Sequence, residues 1–214
     1  MKKRVIITSV LLIGSAFFLQ AQFTQIELFP GFGKTDFTLY ASYPINNRQT
    51  LSINTLAFFQ KFKDSENQGF DEIGVQPTLF WNVHKNIAIG PSLYYNSFAG
   101  YSKRLSAKFA LKNPRVVFVT IPTVAYSEKT EASYAEMFTQ FQLSIPLNQK
   151  VVLWLNSQFL TVWDVFKEHS RSYQQLRTGI SLDGHQFGIG FDFDQYGPRP
   201  IKKTSFGAYY RKTI

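Results

Sequence analysis

The chain has 214 residues, with 23 Lys and Arg, 14 Asp and Glu, 22 Phe, 11 Tyr, 3 Trp and no Cys. That length fits one domain or two small ones, and a charged fraction of 17% is low against the roughly 25% of soluble domains. The missing Cys excludes a disulfide framework, a thiolate zinc site, a Cys nucleophile and a lipid-anchoring Cys.

The first segment is a leader in pattern. Lys2, Lys3 and Arg4 form a basic start, Val5 to Leu19 is almost wholly apolar, and the segment closes on Leu19-Gln20-Ala21-Gln22. A basic n-region, a short apolar core and a small residue at the end describe a secretory signal peptide. The run is shorter than the ~20 residues a spanning helix needs. Residues 1–21 are therefore expected to be the signal and 22–214 the mature domain. The Ala-Gln ending resembles the export signals common in Bacteroidota. Without the signal the chain keeps 20 basic and 14 acidic residues, a net of +6. Nucleic acid is an unexpected partner for an exported protein with no clustered basic stripe. Attraction to anionic lipid headgroups or lipopolysaccharide is the milder reading.

The mature chain alternates apolar and polar residues again and again. This period of two predicts twelve strands at 23–31, 35–45, 50–62, 73–84, 87–98, 104–113, 115–127, 131–147, 151–165, 171–183, 186–196 and 202–214. In 35–45, Phe37, Leu39, Ala41 and Tyr43 oppose Asp36, Thr38, Tyr40 and Ser42. In 87–98, Ile87, Ile89, Pro91, Leu93 and Tyr95 form the apolar face. In 151–165 it is Leu153, Leu155, Phe159 and Trp163, and in 186–196 Phe187, Ile189, Phe191 and Phe193. Most of these runs reach ten residues, beyond the usual 5–6 of globular strands and matching the ~9–11 of a tilted transmembrane strand. The first strand, which holds Pro30, and the split at Asn113-Pro114 are the least marked. Losing one hairpin would leave ten strands.

Tight turns are expected at 46–49, 85–86, 113–115, 148–150 and 184–185, with longer links at 63–72, 166–171 and 195–202. Short turns on one side and longer loops on the other fit an outer-membrane barrel with both termini periplasmic. A secreted sandwich would also alternate, with its apolar faces inward. Strand length and aromatics near both ends of the apolar faces (Phe59, Trp81, Tyr95, Trp163, Tyr210) favour lipid outside. At the end of the chain Thr204, Phe206, Ala208 and Tyr210 share a face with Lys212 and Ile214. This resembles the C-terminal signal read by the barrel-assembly machinery, with Ile214 in place of the typical Phe and Lys212 interrupting the face. As a whole the sequence resembles a small Bacteroidota-type outer-membrane β-barrel. The fold class expected is all-β: a transmembrane, antiparallel, up-and-down barrel.

With the apolar faces in lipid, the lumen is predicted to hold Glu27, Asp36, Lys108, Glu136, Asp164, Arg177, Asp192, Asp194 and Arg211. These groups either line a hydrated pore or pair across it and close it, and twelve strands lie between the sizes that decide the matter. Asp192 and Asp194 share a face, but Ca²⁺ wants 6–8 oxygens, so a salt-bridged or solvated pair is expected. Neutralising both should leave folding intact and shift a pore toward anions. No phosphate loop, nucleophile elbow, zinc His pair or dinucleotide fingerprint is present. Gly31, Gly33, Gly188 and Gly190 read as strand and turn glycines. Of three His, His84 and His185 fall at periplasmic turns. His169 lies at the outer rim beside Ser170 and Ser172, and adjacent strand residues such as His169 and Ser170 point apart. No catalytic residue, metal or cofactor is expected. The function anticipated is a narrow passive channel for small polar solutes. A closed structural or partner-binding barrel is the alternative, and a lipid-modifying barrel enzyme the third reading.

Overall fold

The structure is a computed structural model that describes residues 23–214. The expected signal segment, 1–21, lies outside the described residues. Twelve antiparallel strands pair in chain order: β1 (Phe23–Pro30), β2 (Lys34–Pro44), β3 (Leu51–Phe62), β4 (Glu72–His84), β5 (Ile87–Asn96), β6 (Gly100–Lys112), β7 (Val116–Ser127), β8 (Ala132–Pro146), β9 (Val151–Asp164), β10 (Glu168–Leu182), β11 (His185–Tyr196) and β12 (Ile201–Thr213). β12 also pairs with β1, from Gln25 opposite Thr213 to Leu28 opposite Tyr210, and the sheet closes into a barrel. Closure leaves no open edge, so every strand has a ladder on both sides.

Both strands least marked in the sequence are present, and the count is twelve. β1 ends on Pro30, where a missing donor costs least. The split after β6 is made by Asn113, whose side-chain oxygen accepts from the backbone N–H of Arg115 at 2.9 Å and of Val116 at 2.8 Å. Asn148 does the same after β8, to Lys150 and Val151 at 2.9 Å each. These Asx turns reverse the chain locally. Asp183 and Gly184, both at positive φ, form the two-residue turn that a right-twisted hairpin prefers.

The expected contrast between short turns and long loops is weaker than predicted. At the end opposite the termini, only the β3–β4 link is long, and it folds into a short 3-10 helix, Ser65–Phe70. The other links there shorten because the strands run further: β10 begins at Glu168 and β12 at Ile201.

Alternation places the apolar faces outside. Ile87, Ile89, Leu93 and Tyr95 of β5 are exposed, while Ala88, Ser92 and Asn96 are buried. β11 follows the same rule, with Phe187, Ile189 and Phe191 outside and Gln186, Asp192 and Asp194 inside. Aromatics ring both ends of this belt: Trp81 and Tyr210 toward the termini, Phe59, Tyr95, Tyr101 and Trp163 toward the other end. The interior is mainly polar, with a buried aromatic cluster of Phe29, Trp154 and Tyr209 and a second aromatic group, Phe62, Phe70 and Tyr196, toward the end opposite the termini. Gly190 makes room for the first. A Cβ there would come within 2.8 Å of both the Phe29 ring and the Arg177 side chain.

Candidate functional site

The inner face is built from charges that the alternation of five neighbouring strands turns inward. Lys34 opens β2, and its ammonium sits 3.0 Å from Asp36, 3.1 Å from Asp192 and 2.7 Å from Asp194. It also donates to Gln60 at 3.1 Å. Arg177 of β10 bonds Asp192 and reaches Glu27 of β1 at 2.9 Å. Glu27 in turn accepts from Arg211 of β12 at 2.7 Å. One continuous chain of ion pairs thus crosses the interior from Asp36 to Arg211. Lys34 and Asp192 are 0% exposed, and Asp194 and Arg211 1%. The guanidinium of Arg177 lies 4.1 Å from the Phe29 ring centre, and that of Arg211 4.1 Å from the Trp154 ring. Arg stacks on aromatic faces in this way because its plane is weakly hydrated.

Two further pairs involve the opposite wall, one of them reaching across to it from β10. Arg171 of β10 bonds Glu72 of β4, which also accepts from Asn96. Arg104 of β6 bonds Glu136 of β8 and Gln76, beneath the Tyr94 ring at 4.5 Å.

Of the nine residues expected in the lumen, Glu27, Asp36, Arg177, Asp192, Asp194 and Arg211 are buried there. Glu136 joins them through Arg104. Lys108 is half-buried, with its ammonium 4.4 Å from the Phe80 ring. Asp164 has inward parity but stands exposed at the end of β9, outside the network. Among the described residues, the inner charges outside the expected set include Lys34, Glu72, Arg104, Arg171 and Lys203, which shares the parity of Arg211. Lys34 and Glu72 fell one residue outside the expected strands 35–45 and 73–84. Arg171 fell on a strand boundary. Arg104 shares its parity with Lys108 and was legible on that ground. The omission matters, because the expected set was rich in acids, whereas the observed interior also holds Lys34, Arg104 and Arg171 to balance them. Asp192 and Asp194 are therefore not free carboxylates. The Lys34 ammonium occupies the place a bound cation would take, and neutralising both should disturb folding, contrary to the sequence expectation. Among the described residues no cluster of three His, Asp or Glu has metal-site geometry.

The three His divide as expected between the two ends. His84 and His185 stand toward the termini, where His185 contacts Tyr210 at 2.9 Å and Lys212 at 2.9 Å. His169 stands at the other rim, on the outer face. A bulge between His169 and Arg171 absorbs Ser170, so His169 and Ser172 come to share the outward face, Nε2 to Oγ 3.1 Å. Regular alternation from residue to residue could not have shown this, since one extra residue resets the parity.

No protein-family model matches the chain, and no curated protein matches it in sequence. Several solved barrels are similar in structure. LpxR from Salmonella typhimurium is 6% identical, with a TM-score of 0.49, covering 89% of this chain and 99% of that one. The KdgM porin is 8% identical, with a TM-score of 0.49, covering 90% and 99%. An outer membrane channel from Pseudomonas putida F1 is 8% identical, with a TM-score of 0.46, covering 90% and 93%. At such identities the likeness is one of fold alone.

Proposed function

We propose that this chain is an outer-membrane β-barrel protein, a narrow conduit for small polar solutes held shut at rest by its inner ion pairs. The outward apolar belt with aromatics at both ends supports the membrane setting. On this reading the termini are periplasmic, outer-membrane lipid and lipopolysaccharide surround the barrel, and β12 presents the terminal strand to the barrel-assembly machinery. The observation that carries the closed state is the burial of Lys34, Asp192, Asp194 and Arg211 at 1% exposure or less. A hydrated pore would wet them. Charged rings tune selectivity only where ions can reach them.

Planar-bilayer recording of the refolded mature chain, residues 22–214, tests this. The wild type is expected to insert and stay nearly silent. Arg177→Ala with Asp192→Ala, which removes both partners of one pair, is expected to give steady, salt-dependent steps. Large steps from the wild type would overturn the closed state. Silence from the inserted double variant would favour a second reading, a permanently closed scaffold that binds a partner. The stacking of Arg177 on Phe29 and of Arg211 on Trp154 supports that second reading, because it packs the cations as a core would.

A further inference from the structure

We infer that Ser172 and His169 form a nucleophile–base pair on the lipid-facing rim, acting on the acyl esters of a phospholipid. This rests on the membrane reading above and adds an activity to it.

His169 Nδ1 lies 2.8 Å from the carbonyl oxygen of Gly197. A carbonyl can only accept, so Nδ1 carries a hydrogen. In the neutral ring Nε2 is then an acceptor, and it faces Ser172 Oγ at 3.1 Å. The Ser172 proton has a base to go to, and the base is oriented by a third group, which is the arrangement an activated nucleophile needs. Gln195 Oε1 lies 3.1 Å from the same Oγ and is a second acceptor for its hydrogen. Trp163 meets the imidazole edge-on, with centroids 5.9 Å apart at 84°.

The surroundings specify the substrate. Strand pairing sets Ser172, Gln195 and Lys202 in one row across β10, β11 and β12, so an exposed cation stands beside the pair where a phosphate would lie. Below them the outer face has a shallow, open cleft of about 400 Å³ whose lining includes Leu155, Leu176, Ile189, Phe191 and Phe206, with Ser157 and Thr178 between them. Leu176 is four residues down β10 from Ser172 and on the same face, roughly 13 Å at ~3.3 Å per residue. We assign this cleft to the acyl chain of the same phospholipid. The β9–β10 turn adds an apolar tip. Val165 and Phe166 have φ of 49° and 59° and are 59% and 55% exposed. A β-branched residue in that region is strained.

In the reaction Ser172 Oγ bonds the ester carbonyl carbon while its proton passes to His169 Nε2. The C–O bond to glycerol breaks and the lysolipid oxygen takes that proton. Water then attacks the acyl-serine, again giving its proton to Nε2, and fatty acid leaves as Ser172 regains a hydrogen. The net change is ester plus water to acid plus alcohol.

The test uses the full chain purified from outer membranes and reconstituted into phosphatidylethanolamine vesicles. Flotation reports insertion, and mass spectrometry reports fatty acid. Release is expected from the wild type and is expected to fall at least ~100-fold in Ser172→Ala. A second variant isolates the pair. The chain has no Cys, so Ser172→Cys carries one thiol. Lowering that thiol from about 8.5 to about 6.5 raises thiolate at pH 6.5 from ~1% to ~50%. The loss of basicity returns about tenfold, leaving alkylation ~5-fold faster than in the double variant Ser172→Cys/His169→Gln. Equal rates in these two, or no release from a floating wild type, would overturn the inference. A chain that does not float would overturn the membrane reading first.

Discussion

The two walls of the interior hold charges in different ways. On the side of β1, β2, β10, β11 and β12, Lys34 gathers three carboxylates and Arg177 links them onward to Glu27 and Arg211. On the side of β4, β6 and β8, Arg104–Glu136 stands apart and Glu72 reaches across to Arg171 of β10, with uncharged partners such as Gln76 and Asn96. Exposure follows the same division. At the hub Lys34, Asp192 and Asp194 are sealed, with Asp36 and Glu27 at 10% and 11%, whereas each of the other two pairs has one buried and one partly wetted partner, Arg104 at 3% with Glu136 at 16% and Glu72 at 6% with Arg171 at 18%. A buried charge depends on its partners far more than a wetted one does, because water cannot replace what is lost. The first wall is a core made of ions, and the second is a polar lining.

The largest effect expected is therefore at the hub of the first wall. Lys34→Met leaves Asp36, Asp192 and Asp194 facing one another without the ammonium. Breaking one partner of a buried pair costs about 3–5 kcal/mol, and here three acids lose the same cation. Urea unfolding of the vesicle-folded barrel, read by the gel shift between folded and heated forms, should show a loss at or above that range. A loss below ~1 kcal/mol would erase the distinction between the walls.

Arg104→Gln probes the second wall. Glu136 loses its cation but keeps access to water, and Gln retains hydrogen-bonding groups near Gln76 and Tyr94. The expected cost is about 1–3 kcal/mol, the range for a buried polar group left partly unsatisfied. Measured beside Lys34→Met in the same unfolding assay, it should be the smaller loss. A larger loss would reverse the assignment of core and lining.

The same contrast explains what the sequence could disclose. Period-two alternation is a local signal, and it located every strand within a few residues, because each outward Phe, Ile or Leu must meet an apolar medium. Asn113 and Asn148 marked their turns for an equally local reason. Lys34 and Glu72 were lost because they open strands, where alternation has no preceding residue to anchor it. Which acid meets which base was not legible at all. Lys34 reaches Asp194 across 160 residues, a contact fixed by barrel closure and register rather than by spacing. The pairing of His169 with Ser172 was hidden differently. It depends on one inserted residue, Ser170, whose bulge no residue pattern announced.

The smallest effect should come from outside both walls. Lys103 of β6 and Glu128 after β7 pair at 3.1 Å, with side chains 68% and 49% exposed. Each ion keeps most of its hydration whether or not the other is there, and salt screens what attraction remains. Exposed pairs of this kind contribute about 0–1 kcal/mol. Lys103→Ala should therefore move the urea midpoint little, and less still at 1 M salt, where the screening length falls to ~3 Å. This pair has the same ammonium–carboxylate chemistry as Lys34–Asp194 and a similar contact distance. If it proved as costly to break as that pair or Arg104–Glu136, then hydration would not be what separates the three. The order Lys34, Arg104, Lys103 tests burial as the cause more directly than any one of the three losses.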